Sequence, residues 1–185
     1  AGALLFNKAT TSLSGPYDDV KYPKNSRHMD WECEIAFVIG ARARYVEAKD
    51  WANYIAGYCI CNDVSERKFQ VKRNGQWVKG KSAETFGPIG PWLVTPDELP
   101  DPHSLAMSLD VNGERKQTGS TATMIFKIAE VFQVPAAIQP QFRPPICRPR
   151  SGYVGAGTAG VHVPEAAVHE DDFAACWENE VGFSR

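Results

Sequence analysis

Residues 32–40 read Glu-Cys-Glu-Ile-Ala-Phe-Val-Ile-Gly, first alternating acid with apolar and then apolar throughout. Successive strand side chains point to opposite faces, so this run predicts a strand that starts at the rim of the core and ends inside it. Ala48, Trp51, Ala52 and Ile55 recur at helical spacing, which predicts a helix over 46–55 with Gly57 placed to stop it. Residues 58–61, Tyr-Cys-Ile-Cys, predict a second buried strand running into Asn62 and Asp63. Leu105, Met107, Leu109 and Val111 alternate with other residues up to Asn112-Gly113, the dipeptide best suited to a tight hairpin. Over 121–132 the spacing predicts a helix with Met124, Ile125, Ile128, Ala129 and Phe132 inward. Strands dominate without regular strand–helix alternation, which predicts an α+β, sheet-rich mixed fold.

After about Gln133 the texture changes. Pro140, Pro144, Pro145 and Pro149 alternate with Arg143, Arg148 and Arg150, and neither a period of 2 nor of 3.6 survives there. So abrupt a boundary is what a shifted reading frame or a replaced terminus produces; the alternative is a lineage-specific terminus that folds normally. The expectation is one catalytic-type domain over 1–185, regular over 3–133 and atypical over 134–185.

The length of 185 residues suits one domain with a real core. Twenty basic against 22 acidic side chains give a net charge of −2, which argues against binding nucleic acid through bulk charge. No stretch approaches the ~18 apolar residues of a membrane span, so the reading is of a soluble, cytoplasmic chain without membrane partners. Five cysteines at irregular spacing predict reduced thiols, not a disulfide framework or a zinc set.

Residues 75–82, Gly-Gln-Trp-Val-Lys-Gly-Lys-Ser, match the phosphate-loop pattern G-x-x-x-x-G-K-S. That motif works only between a buried strand and a helix N-terminus. Here a highly charged segment precedes it and two prolines and two glycines follow, so a nucleotide site is not expected. Glu32 and Glu34 share one strand face, and Asp63 ends the next apolar run. They could form a solvated rim. Alternatively they hold a cation, because three clustered carboxylates repel unless one joins them, and all-oxygen ligands suit Mg²⁺, Mn²⁺ or Ca²⁺. Arg67, Gln70 and Lys81 downstream are either surface residues or the groups an anionic oxo acid requires.

Three segments together resemble the successive signatures of the fumarylacetoacetate hydrolase family. They are Asp30-Trp-Glu-Cys-Glu-Ile-Ala-Phe-Val-Ile-Gly40, the stretch from Gly57 through Asn62-Asp63 and Arg67 to Gln70, and Gly80-Lys-Ser-Ala-Glu-Thr-Phe-Gly-Pro-Ile-Gly-Pro91. Residues 5–16, Val111-Asn-Gly-Glu, Gln117-Thr-Gly and Met124-Ile-Phe126 fit the same order, so the resemblance covers 3–133. It implies a sheet-rich roll, a homodimer, and one Mg²⁺ or Mn²⁺ held by Glu32, Glu34 and Asp63. It further implies Arg67 and Gln70 on the substrate side and Lys81 over a developing enolate. The implied substrate is a small 2-oxo or 1,3-diketo acid. Hydrolysis of a C–C bond is the first reading, and isomerisation, decarboxylation or a non-catalytic remnant of the fold the alternative. Two family features have no match. No H-x-x-E, the water-activating pair of hydrolytic members, precedes Glu32, as in a chain truncated at its N-terminus. The C-terminal substrate loop survives only as Gly155-Ala-Gly-Thr158-Ala-Gly-Val161, from which Thr158 is taken as a substrate-binding residue.

Overall fold

The computed structural model describes residues 4–138 and 154–156. The first strands are short: β1 (Leu13–Ser14) and β2 (Met29–Asp30). The two long hydrophobic runs form β3 (Cys33–Ile39) and β4 (Ile55–Asn62), paired antiparallel with Cys33 opposite Asn62 and Glu34 opposite Cys61. A two-residue strand, β5 (Ser65–Glu66), leads into the short helices α1 (Arg67–Val71) and α2 (Val78–Lys81). Then come β6 (Gly87–Val94), the hairpin β7 (Ala106–Val111) and β8 (Glu114–Ser120), helix α3 (Ile128–Ile138) and β9 (Val154–Ala156). The main sheet runs β1-β6-β4-β3-β9, with β2–β5 and β7–β8 as separate two-stranded ribbons. This is the sheet-rich α+β architecture the sequence predicts.

The core lies on one face of the sheet, where Ile35, Phe37 and Ile39 of β3 meet Tyr58 of β4 and Ile128, Val131 and Phe132 of α3. A second cluster, Trp31, Cys33 and Leu109, packs the β7–β8 hairpin against the start of β3. Asn112 and Gly113 take positive φ of 53° and 77° at the hairpin tip, the conformation such a turn demands. Cys33, Cys59 and Cys61 are buried free thiols, and Cys147 and Cys176 lie outside the described residues.

Two helices differ from the pattern. Over 46–55 the chain forms a 3₁₀ turn, Ala48–Tyr54, and Ile55 already belongs to β4 opposite Ile39. Strand pairing fixes the far end of the segment, and i→i+3 bonds fill the space between with Trp51 and Tyr54 against the core. Gly57 stops no helix. It sits inside β4, where a Cβ would stand 2.7 Å from the Val94 carbonyl oxygen of β6, so glycine allows the two backbones to close. Over 121–132, Thr121 is tied to Leu105 by two hydrogen bonds, a short 3₁₀ turn ends at Thr123, and the helix begins only at Ile128. Ile125 is therefore exposed, not inward. The α3 N-terminus is capped twice: Ile128 N–H donates to His103 Nε2 at 3.1 Å and Lys127 N–H to Glu130 at 2.8 Å. The helix then continues past Gln133 to Ile138, and Val154–Ala156 pairs with Ala36–Val38 of β3. Among the described residues, no helix is long and apolar enough to cross a membrane.

Candidate active site

The pairing of β3 with β4 continues one residue beyond the ladder. Asp63 N–H donates to the Glu32 carbonyl at 2.9 Å, and the Asn62 side chain accepts from Glu32 N–H at 3.0 Å. These bonds hold Glu32 and Asp63 across from each other, and the pleat brings Glu34 to the same side. One carboxylate oxygen from each of Glu32, Glu34 and Asp63 lies within 4.8 Å of the other two. The sequence expectation that these three converge is met.

Lys81 is 1% exposed and its Nζ reaches Glu32 Oε2 and Asp63 Oδ2, each at 2.7 Å, with the Phe6 ring 4.8 Å away. Its placement explains the misleading phosphate-loop pattern. A Cβ on Gly80 would lie 2.5 Å from both the Glu66 carbonyl and the Gln70 amide nitrogen, so glycine lets α2 seat against α1. The glycine–lysine pair is thus read by packing and by carboxylates. Glu66, fully buried, caps α1 through Phe69 N–H and also accepts from His28 N–H.

Arg67 is committed to protein partners. Its Nε and Nη2 bind Asp30 Oδ2 at 2.7 and 2.6 Å, Nη2 also meets Glu32 Oε1 at 2.5 Å, and Nη1 donates to Gln70 Oε1 at 3.0 Å. The guanidinium fork that the sequence reading gives to a substrate carboxylate is therefore used on Asp30 and Glu32. Gln70 is buried and orients the arginine. Thr158 lies outside the described residues.

Three participants carried no motif of their own. Lys8 donates to Asp63 Oδ1 at 2.5 Å and to the Val64 carbonyl at 3.1 Å. Asp30 anchors Arg67, and Asn62 fixes Glu32. All three fall within segments that resemble the family, which is the signal that could have found them.

Electrostatically the three carboxylates differ. Burial resists ionisation of Asp63, but the Lys8 and Lys81 ammoniums outweigh it and hold its carboxyl below the usual range. Burial raises Glu32, reinforced by Asp63 and opposed by Lys81 and Arg67. Burial lifts Glu34 well above the usual carboxylate range, with the neighbouring Asp63 and Glu32 charges adding to it. Glu34 Oε2 has no hydrogen-bond partner among the described residues although it is buried. A buried carboxylate oxygen without a partner, beside two further carboxylates, fits a cation. The donors are all oxygen, which suits Mg²⁺, Mn²⁺ or Ca²⁺.

The sequence model described as fumarylacetoacetate (FAA) hydrolase C-terminal matches residues 2–143. The chain belongs to the fumarylacetoacetate hydrolase family. It is 54% identical over 129 residues to a 2,4-didehydro-3-deoxy-L-rhamnonate hydrolase from a Sphingomonas species, covering 70% of this chain and 45% of that protein. Among solved structures it superposes on a 5-carboxymethyl-2-hydroxymuconate delta-isomerase from Mycobacterium smegmatis with a TM-score of 0.71 and 33% identity, over 76% of this chain and 55% of the other. It also resembles a fumarylacetoacetate hydrolase from Exiguobacterium antarcticum, with a TM-score of 0.69 and 34% identity, over 72% and 48% of the two chains. The chain spans about half the length of the curated relatives it matches. Relatives named both hydrolase and isomerase make it a protein of an enzyme family that includes both activities.

Proposed function

We propose that Glu32, Glu34 and Asp63 hold one divalent cation and that the site cleaves a C–C bond in a small 2-oxo or 1,3-diketo acid by hydrolysis. The observations that carry this reading are the convergence of three carboxylates, one oxygen from each within 4.8 Å of the other two, and a buried Glu34 Oε2 that has no partner among the described residues. A bound divalent ion supplies Lewis acidity toward the 2-oxo acid, favouring the negative charge that develops when the bond breaks. Lys81 adds a buried ammonium at the same place, worth most where water is excluded. Arg67, held by Asp30 and Gln70, contributes a fixed positive charge at the rim and keeps Glu32 in place. Lys8 keeps Asp63 ionised and therefore able to ligate.

The hydrolase name of the 54%-identical relative supports hydrolysis of a diketo-deoxy sugar acid or an acylpyruvate. The isomerase-named structural relative favours a second reading, in which the same residues stabilise an enolate that is reprotonated without cleavage. One experiment separates them. The purified chain is incubated with an acylpyruvate and with a 2,4-didehydro-3-deoxy sugar acid, with Mg²⁺ or with a chelator, and products are weighed by mass spectrometry. Hydrolysis adds one water and gives two acids; isomerisation conserves mass. Turnover unaffected by the chelator would end the metal reading.

A further inference from the structure

We infer that Gln117 is a positioning residue that sets the spacing of Glu32 and Glu34, resting on the reading of those residues as cation ligands. Cys33 stands between the two glutamates, and its backbone is not served by β4. Gln117 takes both of its groups: Cys33 N–H donates to Gln117 Oε1 at 2.8 Å, and Gln117 Nε2 donates to the Cys33 carbonyl at 2.9 Å. The side-chain amide thus does for one residue what a neighbouring strand would do for a row of them. Among the described residues, β9 pairs with Ala36–Val38 on that edge.

The hairpin is built to deliver this amide. Leu109 pairs with Gln117 and Asp110 with Arg115, so β8 holds one extra residue, Lys116, at a bulge. A bulge re-aims the side chains beside it. Leu109 is buried against Trp31 and Cys33, and Gln117, directly opposite, lies on the same face. Arg115 and Lys116 are exposed, while Gln117 turns in toward β3. Its bond to Cys33 spans 84 residues of sequence. The consequence is geometric: a site needs its ligands held to within about 0.5 Å, and the peptide joining the two glutamates is fixed on one edge by this amide.

Mg²⁺ demands near-ideal octahedral geometry, while Ca²⁺ accepts a loose shell, so a positioning role is read in the ratio of the two affinities. Mg²⁺ and Ca²⁺ titrations by calorimetry are made on the full chain, as wild type, Gln117→Ala, Gln117→Glu and Arg115→Ala. In Gln117→Ala, Mg²⁺ binding weakens by about 10-fold or more, as for other residues that orient ligands, while Ca²⁺ binding changes less than about threefold. Gln117→Glu keeps the acceptor for Cys33 N–H and sets a carboxylate against its carbonyl. Its ratio moves the same way by a smaller factor, which serves if the alanine variant does not fold. Arg115→Ala, on the same strand as Gln117, removes an exposed pair across the hairpin with Asp110 and keeps the wild-type ratio. A Gln117 variant that folds with the wild-type Mg²⁺/Ca²⁺ ratio overturns the inference alone, whatever its melting temperature. A wild-type chain that binds neither ion overturns the metal reading and this inference with it.

Discussion

Replacing Glu34 by glutamine changes shape least and charge most, and its two effects have opposite signs. In the metal-free protein one oxygen from each carboxylate is at most 4.8 Å from the others, so a like-charge pair at an effective dielectric constant near 20 repels by at least about 3.5 kcal/mol. Glu34 faces two such charges, and Lys81 and Lys8 oppose that repulsion. The oxygen without a partner adds a further desolvation cost of about 1–3 kcal/mol. Proton uptake caps the total, because the folded carboxyl titrates well above its ordinary 4.5. A carboxyl raised on folding costs stability as pH rises above the unfolded value, and costs nothing below it. Glu34→Gln therefore stabilises the metal-free chain at pH 8 by about 1–3 kcal/mol, or about 2–12 °C in Tm, and the gain disappears below about pH 4.5. The same substitution removes a ligand, so Mg²⁺ affinity falls by at least about 100-fold. At 100 times its own Kd, Mg²⁺ stabilises wild type by about 2.7 kcal/mol and leaves the variant nearly unmoved. Thermal melts with chelator and with Mg²⁺, at pH 8 and pH 4.5, therefore give the variant the higher Tm without metal and a far smaller response to it. A variant that melts lower than wild type in chelator at pH 8, or that keeps its Mg²⁺ response, would refute the reasoning.

Three further outcomes follow from the packing and the charges. Lys81→Met leaves Glu32 and Asp63 short of a buried cation, so the metal-free chain loses about 3–5 kcal/mol. Mg²⁺ restores part of that loss in a melt, oxo-acid turnover collapses and ATP produces no thermal shift; a shift of several degrees with ATP would revive the phosphate-loop reading. Gly80→Ala forces α1 and α2 apart, because the new Cβ would stand 2.5 Å from two backbone atoms; denaturant melts should show a loss of at least about 1–3 kcal/mol. His103 accepts the Ile128 N–H, and burial lowers its pKa below the ordinary 6.5. A histidine depressed on folding gives stability that is complete above 6.5 and declines as pH falls through the window beneath it. His103→Leu should lose about 1 kcal/mol at pH 8 and flatten the decline between pH 7 and 5, followed by urea unfolding. A slope identical to wild type would show that His103 does not carry it.

What could be read in advance depended on how local its cause was. Glu32, Glu34 and Asp63 were legible because strand period and the ends of two apolar runs place them, and one antiparallel pairing then joins them. The Asn112-Gly113 hairpin was legible for the same reason, a turn whose chemistry is written in two residues. Lys8 and Gln117 act over 55 and 84 residues of sequence, and no period or turn signal encodes such a contact. The helix expected over 46–55 failed where strand pairing competed with it, since Ile55 serves β4. The helix expected over 121–132 failed where Thr121 was tied back to Leu105. Gly57 and Gly80 were visible as glycines, but their purpose, close approach to Val94 and to Gln70, belongs to tertiary packing.

The charges around the cluster account for the order in which it would fill. Asp30, Glu32 and Asp63 are matched one for one by Arg67, Lys81 and Lys8, each with at least one contact at 2.7 Å or less. Glu34 is the fourth carboxylate, with no cation of its own among these pairs. When it ionises, four acids face three bases among the described residues and the site carries one surplus negative charge, a state that low-polarity surroundings disfavour. A divalent cation reverses the surplus to one positive charge. In that condition the proposed monoanionic oxo acid would be attracted and not repelled, and its arrival would bring the site to neutrality. Proton uptake by Glu34 is the other route to neutrality, and it competes with the proposed metal for the same carboxylate. The raised Glu34 carboxyl and the proposed affinity for a dication thus have one origin: a carboxylate with no counter-charge of its own among the described residues, inside an otherwise balanced set.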